Sequence, residues 1–300
     1  MANARDVITC IIVALTLARG LPVSAQTPAK LPVIATFSIL ADFARNVGGD
    51  RSEVAALVGP DGDTHVYQPK PADARELGAA RLIVVNGLGL EGWIDRLIKA
   101  SGAMAPVIVA TKGINPQKLR EEGRIGLDPH AWQSIANAKI YVANIRDGLI
   151  AVDPDGASVY RPNAASYLEK LDALEKEVLA EIAKIPPGRR QIITTHDAFG
   201  YFGTAYGFRF IAPEGISTET EASARDVAKI IRQIRAQKIP AVFLENVTDP
   251  RLVRSIAAES GATVGGTLYS DALSPPDGPA STYIDMMRNN VRELSAALAN

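Results

Sequence analysis

Three histidines are the residues of this chain that most clearly suggest chemistry, and the 300 residues contain no others. His65 lies in GDTHVYQP, His130 in LDPHAW and His196 in QIITTHDAFGYF, each with an aspartate one or two residues away. An apolar, β-branched run ends at His196 and a helix-like segment follows. This order places the imidazole at the carboxyl end of a strand, where open α/β sheets bind ligands. Three such loops that met at one point would make a metal site.

A fourth donor completes a tetrahedral site. Zinc takes nitrogen, sulfur or carboxylate oxygen. The only cysteine, Cys10, lies in a predicted leader, so the fourth donor must be a carboxylate or water. Asp271, in TLYSDAL directly after the last predicted strand, is the best candidate. The alternative role for Asp271 is to cap a helix or to form a turn. Each histidine taken alone could instead be a structural or surface residue. The three histidines together favour the metal site.

Other chemistries have less support. The run GLGLEG at 87–92 follows a predicted strand and matches G-x-G-x-x-G, but no acidic residue follows the next strand, where a dinucleotide site needs one. We therefore interpret it as a tight turn before a helix that begins near Trp93. The G-x-S-x-G and H-E-x-x-H motifs are absent from the sequence. A formal charge of −1 gives no electrostatic case for nucleic acid or an anionic membrane surface.

The first 25 residues read as a cleavable signal peptide. Arg5 precedes an apolar run over residues 7–18, and Val23 and Ala25 are small residues suited to cleavage before Gln26. The run is shorter than the roughly 20 apolar residues that span a bilayer. We therefore expect a soluble exported protein, periplasmic where the host has two membranes, and a monomer.

The remaining chain alternates apolar runs with amphipathic stretches. Continuous apolar runs separated by helices indicate buried parallel strands in βαβ units. Four runs in each half predict two lobes. The predicted strands are 31–36, 54–58, 82–86 and 107–110, then 191–195, 208–212, 241–245 and 262–269. The predicted helices include 39–47, 71–78, 135–150, 222–237 and 250–260.

A long helix is predicted between the two groups of strands. From residue 163 to 185, apolar residues recur every three or four positions, which is one helical face. Pro162 suits the first turn, and Pro186 and Pro187 end the helix. At 1.5 Å per residue it runs about 33 Å. An ordinary surface helix is the alternative, but the position favours a connection between lobes.

The expected fold is therefore α/β, with two Rossmann-like lobes of parallel sheets joined by one long rigid helix. The predicted divisions are a signal peptide at 1–25, an N-terminal lobe at 26–160, the connecting helix at 161–186 and a C-terminal lobe at 187–300.

In chain order, the segments DTHVYQP, NGLGLEGW, DPHAW, THDAFGYF and YSD resemble the motifs of the zinc- and manganese-binding solute receptors of ABC importers, called cluster A-I. The resemblance spans essentially the whole chain after the leader. One departure is Thr64, where many members have proline, and it leaves the histidine donor intact. The resemblance implies two α/β lobes on a rigid helix, with His65, His130, His196 and Asp271 on the ligand positions between them. It also implies a receptor, not an enzyme, whose partner is an ABC permease in the inner membrane.

The expected metal is Zn²⁺, since three imidazoles and one carboxylate suit zinc while manganese prefers more oxygen. Manganese receptors of this kind commonly place glutamate where this chain has His196. Mn²⁺ remains the alternative. Residues 112–127 contain no histidine, so the histidine-rich loop of many zinc members is missing. Metal capture then depends on the main site or on a periplasmic metallochaperone.

Four acidic residues, Asp63, Asp128, Asp197 and Glu245, are candidates to orient the imidazoles, with N-capping of the following helices the favoured alternative for Asp128 and Asp197. Since imidazoles bind metal when neutral, affinity is expected to fall below about pH 6. Two other functions stay open. One is a periplasmic zinc hydrolase with Asp271 or Glu245 as general base, and the other is an adhesin-like protein with a structural metal.

Overall fold

The computed structural model describes residues 29–121, 124–219 and 222–299. The predicted signal peptide, residues 1–25, lies outside the described residues. Within the described ranges, every helix is too short or too polar to cross a bilayer.

The first sheet is parallel and has the strand order β2-β1-β3-β4. Its strands are β1 Leu31–Phe37, β2 Ser52–Val58, β3 Leu82–Val85 and β4 Val107–Val109. The helices of this half are α1 Ser38–Gly48, α2 Pro71–Ala79, α3 Ile94–Ser101 and α4 Ile135–Val152. Strands β1 and β3 are almost entirely buried, as continuous apolar runs predict for the centre of a parallel sheet.

A small antiparallel hairpin follows the first sheet. Its strands are β5 Lys118–Glu121 and β6 Arg124–Leu127, paired from Lys118 with Leu127. The sequence patterns above did not predict it. The hairpin occupies the segment that lacks histidine and leads directly into the loop of His130.

The connecting helix is α5 Ala157–Ile182, 26 residues long. Its one buried face carries residues spaced by three or four, as predicted: Tyr160, Ala164, Tyr167, Leu171, Leu174, Val178 and Ile182. The predicted start was wrong, because Pro162 lies inside the helix and not in its first turn. A proline inside a helix removes one backbone hydrogen bond and its ring clashes with the carbonyl four residues earlier. Tyr160 and Ala164 are buried on either side of Pro162, so their packing offsets this cost and the helix continues.

The second sheet is also parallel, with the order β10-β9-β7-β8. Its strands are β7 Gln191–Ile193, β8 Arg209–Ile211, β9 Ala241–Glu245 and β10 Thr263–Leu268. Its helices are α6 Gly200–Tyr206, α7 Ala224–Gln237, α8 Pro250–Ser260 and α9 Tyr283–Leu298. The chain therefore has two α/β lobes joined by a long helix, as expected.

Of the two hydrophobic clusters among the described residues, the larger runs through both lobes, and the other, which includes Val242 and Ile256, lies within the second lobe. The larger cluster contains Val33 of the first sheet, Leu171 of the connecting helix and Phe243 of the second sheet. Separating the lobes would expose this apolar surface at a cost of about 25 cal/mol per Å². The core therefore holds the facing ends of the two sheets in a fixed relation.

Candidate metal centre

The structure brings the four predicted donors together. One ligand atom from each of His65, His130, His196 and Asp271 lies within 4.8 Å of the others. His65 Nε2 is 3.2 Å from His130 Nε2 and 3.2 Å from Asp271 Oδ2, and His196 Nε2 is 3.1 Å from the same oxygen. A tetrahedral zinc site with bonds near 2.1 Å has ligand–ligand distances of about 3.4 Å. The observed spacing therefore suits a metal ion at the centre.

Each donor follows a strand. His65 lies in the loop after β2, His130 after β6, His196 after β7 and Asp271 after β10. Three of these strands, β2, β7 and β10, belong to the parallel sheets, whose carboxyl ends usually bind ligands. Strand β6 belongs to the antiparallel hairpin. Two donors come from each half of the chain, so the site lies between the lobes.

Buried carboxylates orient two of the imidazoles. His130 Nδ1 lies 2.8 Å from Asp128 Oδ1, and His196 Nδ1 lies 2.6 Å from Glu245 Oε2, with all four side chains buried. Glu245 Oε1 also accepts hydrogen bonds from the backbone N–H groups of Thr195 and His196, at 2.7 and 3.0 Å. A carboxylate on Nδ1 leaves Nε2 free to bind metal and makes it a stronger donor.

The N-capping role that we favoured for Asp128 and Asp197 is wrong. The N-cap positions of the helices that follow are Ser134 for α4 and Phe199 for α6. Asp128 instead accepts a hydrogen bond from the backbone N–H of His130 at 2.9 Å and contacts its ring. The backbone N–H of Asp197 donates to the carbonyl of Gly215. A short loop between strand end and helix separates both aspartates from the helix they were expected to cap.

Asp63 holds the loop of the third imidazole. Its Oδ1 accepts a hydrogen bond from the backbone N–H of His65 at 2.9 Å. Its Oδ2 accepts one from Thr218 Oγ1 of the other lobe at 2.6 Å. Asp63 therefore links the His65 loop to the opposite side of the cleft.

The pKa values show that the metal-free site holds protons. Burial alone would lower the pKa of His130, but the carboxylates of Asp271 and Asp128 outweigh it and raise this pKa to about 9. Burial also opposes protonation of His196, yet Glu245 and Asp271 raise its pKa well above the usual value. Burial would raise the pKa of Asp271, but His196 and His130 hold it well below its ordinary range. An incoming cation therefore meets an ionised carboxylate and displaces protons from imidazoles.

Both oxygens of Asp271 face the site. Oδ2 lies beside His65 and His196, while Oδ1 is 3.6 Å from His130 Nε2. Among the described residues Oδ1 is buried with no hydrogen-bond partner, which suits an atom that binds a cation. The cluster can thus offer four donors with Asp271 bound through one oxygen, or five with both.

Aromatic side chains surround the site. Trp132 packs edge-on to His130 with ring centroids 5.3 Å apart. The ring of Phe199 stacks on Phe210 at 4.9 Å. Trp93, whose position the sequence did not suggest, donates from Nε1 to the carbonyl of Thr64, next to His65. Its ring packs on that of Tyr67 at 5.1 Å.

The side that opens to solvent is that of His65. A cleft of about 620 Å³ borders this histidine, with lining residues His65, Val66, Tyr67, Gln68, Gly92, Trp93, Arg96 and Glu219. The other three donors are buried, with no exposed surface. His65, whose side chain is 5% exposed, is therefore the donor nearest to solvent.

The glycine run forms the predicted tight turn. Gly87 and Gly89 have φ values of 85° and 88°, a region that glycine adopts readily, and α3 begins soon after. The buried Glu91 accepts hydrogen bonds from the backbone N–H groups of Asn86 and Gly87. Asn86 Nδ2 in turn donates to the carbonyl of Pro129 at 3.0 Å, so this turn supports the His130 loop.

Direct contacts join the His130 loop to the Asp271 loop. Trp132 Nε1 and Gln133 Nε2 both donate to the carbonyl of Ser270, at 2.8 and 2.7 Å. Tyr283 OH donates to the carbonyl of Trp132 at 2.7 Å. These residues are 130 or more positions apart in sequence, so no local pattern pointed to them.

The chain is similar to known metal-binding proteins over most of its length. Residues 33–297 match the family described as ZnuA, zinc-uptake complex component A, periplasmic. The iron-binding protein YfeA of Yersinia pestis is 36% identical over 271 residues, which cover 90% of this chain and 87% of YfeA. The manganese-binding lipoprotein MntA of Halalkalibacterium halodurans is 35% identical over 269 residues, covering 90% and 89% of the two chains.

Solved structures give the same result. The periplasmic zinc-binding protein TroA of Treponema pallidum superposes with a TM-score of 0.86 at 30% identity, covering 91% of this chain and all of TroA. A manganese-bound S38A mutant of a periplasmic metal-binding protein from Candidatus Liberibacter asiaticus superposes with a TM-score of 0.83 at 35% identity, covering 90% and 100%.

Proposed function

We propose that this chain, which belongs to the ZnuA family of metal-binding receptors for ABC importers, binds Zn(II) between its lobes and delivers it to the permease of such an importer. Members of the family are solute receptors and not enzymes, so the hydrolase alternative is set aside. Binding of a divalent metal follows from membership of this family.

The proposed ligands are His65, His130, His196 and Asp271. The single observation that carries this assignment is the convergence of their donor atoms within 4.8 Å, although they come from four separate loops. Four protein donors complete a tetrahedral sphere and leave no position for a reactive water, whereas catalytic zinc sites usually supply three. A closed sphere suits a receptor that carries its ion unchanged.

The donor set supports zinc. Three imidazole nitrogens and one carboxylate are typical zinc ligands, while manganese favours oxygen. Manganese is the second candidate, because the free Oδ1 of Asp271 could add a second oxygen donor. Relatives named for manganese and iron share about a third of this sequence, which also keeps manganese in consideration.

We further propose that the receptor is exported through the predicted leader, residues 1–25, and that it acts in the periplasm as a monomer. Relatives described as periplasmic or as lipoproteins support an extracytoplasmic location. The proposed partner is the inner-membrane permease. A periplasmic metallochaperone is a further candidate partner.

Metal titration of the purified metal-free protein tests the proposal. We expect one equivalent of Zn(II) to bind, more tightly than Mn(II), in competition with chelators of known affinity. Asp271→Asn should weaken zinc binding strongly, because it removes the only anionic donor. Asp277→Asn is the matched control, since Asp277 is exposed six positions away.

Two results would count against the proposal. Unchanged zinc affinity in Asp271→Asn would show that the donor set is wrong. Tighter binding of Mn(II) than of Zn(II) would transfer the assignment to manganese.

A further inference from the structure

The side chain of Asn246 contacts the backbone on both sides of the candidate donor Asp271. Asn246 directly follows the end of β9, at Glu245. Its Oδ1 accepts a hydrogen bond from the backbone N–H of Ser270 at 3.4 Å, and its Nδ2 donates to the carbonyl of Ala272 at 3.2 Å. One amide therefore holds the backbone on both sides of Asp271.

Asp61, in the other lobe, also contacts the turn around Asp271, residues 270–273. Asp61 Oδ1 accepts a hydrogen bond from Asn246 Nδ2 at 3.0 Å, and the backbone N–H of Asp61 donates to the carbonyl of Leu273 at 2.9 Å. Asp61 has a φ of 52°, a left-handed conformation that non-glycine residues rarely adopt. Asp61 lies in the loop that also carries His65, so Asn246 joins the loops of two donors.

An amide is the side chain that suits this position. The Nδ2 group faces two acceptors, the Ala272 carbonyl and the Asp61 carboxylate, while Oδ1 faces one donor, the N–H of Ser270. Rotating the amide by 180° would set donor against donor and acceptor against acceptor. An aspartate here would place a second carboxylate beside Asp61.

We infer that Asn246 is a positioning residue for metal binding, which fixes the turn around Asp271 so that the carboxylate reaches the imidazoles. The preceding residue, Glu245, holds His196, so the end of β9 positions both donors of the second lobe. The inference rests on the proposed function, because it assumes that Asp271 binds the metal.

The size of the effect follows from the other contacts on this turn. The carbonyl of Ser270 is also held by Trp132 and Gln133, so the turn keeps part of its support without Asn246. Loss of a partner that orients a metal ligand typically weakens binding tenfold to a hundredfold. We expect a change near the lower end, about tenfold, for Asn246→Ala.

The experiment compares Asn246→Ala with Asn144→Ala. Asn144 is a matched control, because its Nδ2 also donates two hydrogen bonds to backbone carbonyls, those of Ala110 and Lys112, which belong to a different loop. Three quantities are measured: the zinc dissociation constant, the visible spectrum of the protein loaded with Co(II), and the melting temperature of the metal-free protein. The Co(II) spectrum reports ligand geometry, which a general loss of stability would leave unchanged.

We expect Asn246→Ala to weaken zinc binding about tenfold and to change the Co(II) spectrum, while Asn144→Ala changes neither. Asn246→Asp should weaken binding at least as much. Asp61→Gly keeps the left-handed backbone and removes the acceptor carboxylate. It should reproduce part of the loss and provides a second test if a variant at Asn246 fails to fold.

The results distinguish a failure of the proposed function from a failure of the positioning role of Asn246. If the unchanged protein binds no divalent metal, the proposed function fails and the positioning role fails with it. If the unchanged protein binds zinc and Asn246→Ala and Asp61→Gly keep its affinity and Co(II) spectrum, only the positioning role is overturned. Equal losses of affinity in Asn246→Ala and Asn144→Ala would also overturn it.

Discussion

Glu245 Oε2 lies 2.6 Å from His196 Nδ1, and both side chains are fully buried. Glu245→Gln keeps the shape of this contact and removes its charge, which makes His196 a weaker donor. We predict tenfold to hundredfold weaker zinc binding, measured by competition with a chelator. The control is Glu177→Gln, which removes a carboxylate that pairs with Arg288 on the surface.

If Glu245→Gln bound zinc as tightly as Glu177→Gln, the buried carboxylate would have no role in tuning the histidine. A change in the melting temperature of the metal-free protein without a change in affinity would assign Glu245 to stability alone.

The pH dependence of metal binding should extend to higher pH than ordinary imidazoles would allow. In the metal-free protein the pKa of His130 is raised to about 9, and that of His196 is also raised, so both hold protons at neutral pH. Since metal binds the neutral rings, affinity should rise with pH through the neutral range and level off only near pH 9. We therefore expect the affinity to begin to fall at a pH above 6, the onset that reference pKa values predict.

Calorimetric titration in two buffers of different ionisation enthalpy measures the protons released. We expect release of at least one proton per zinc at pH 7. Zero release at pH 7, with constant affinity from pH 9 to pH 6, would contradict the raised pKa values.

The hydrogen bond from Thr218 to Asp63 should control how fast the metal dissociates. Thr218→Val keeps the side-chain volume but removes the hydrogen bond to Asp63, which holds the backbone of His65. Because Asp63 holds the backbone of His65, the donor that borders the cleft, we predict that zinc dissociates a few times faster, since one hydrogen bond contributes roughly 1 kcal/mol. Stopped-flow mixing with excess chelator gives the rate.

Thr204→Val is the control for this prediction. Thr204 also makes one side-chain hydrogen bond, as the acceptor from Gln117 Nε2, but at an exposed position outside the lining of the cleft beside His65. Equal dissociation rates for Thr218→Val, Thr204→Val and the unchanged protein would show that the hydrogen bond between Thr218 and Asp63 does not limit the release of zinc.

An ion pair far from the metal centre should stabilise the fold without affecting binding. Arg51 contacts both oxygens of Asp153, at 2.5 and 2.8 Å, and Tyr160 OH donates to Asp153 as well. The hydrogen bond from Arg51 lowers the pKa of Asp153 to about 2, although burial opposes this. A carboxyl group whose pKa is lowered in the folded protein stabilises the fold at every pH above its ordinary pKa, near 4. This stabilisation is lost as the pH falls through the folded-state pKa of about 2.

Asp153→Asn should therefore lower the free energy of unfolding by about 1 kcal/mol at pH 7, since the pair is partly exposed to solvent. The difference should shrink toward pH 2. Denaturant unfolding at several pH values measures it, with the exposed Asp155→Asn as control. A loss of stability that was equally large at pH 2 and pH 7 would point to packing instead of charge.

The sequence by itself determined the elements and the candidate donors. Strand β9 and helix α8 have the predicted bounds, because an apolar run and a proline-initiated amphipathic stretch are local signals. The three histidines and Asp271 were identified because donor chemistry belongs to the residue type and each was placed just after a predicted strand or in a loop. Local reasoning failed at Pro162, where the packing of both neighbouring turns continued the helix.

Only the tertiary structure decided which groups act on those donors. Glu245 is 49 residues from His196, and Asn246 is 24 from Ser270, so their contacts depend on how β9 packs between its neighbours. The raised pKa of His130 likewise depends on Asp271, which lies far along the chain in the other lobe. Hydrogen bonds and charges act over a few ångströms of space, and the packing of the two lobes against each other through their shared hydrophobic cluster sets those distances.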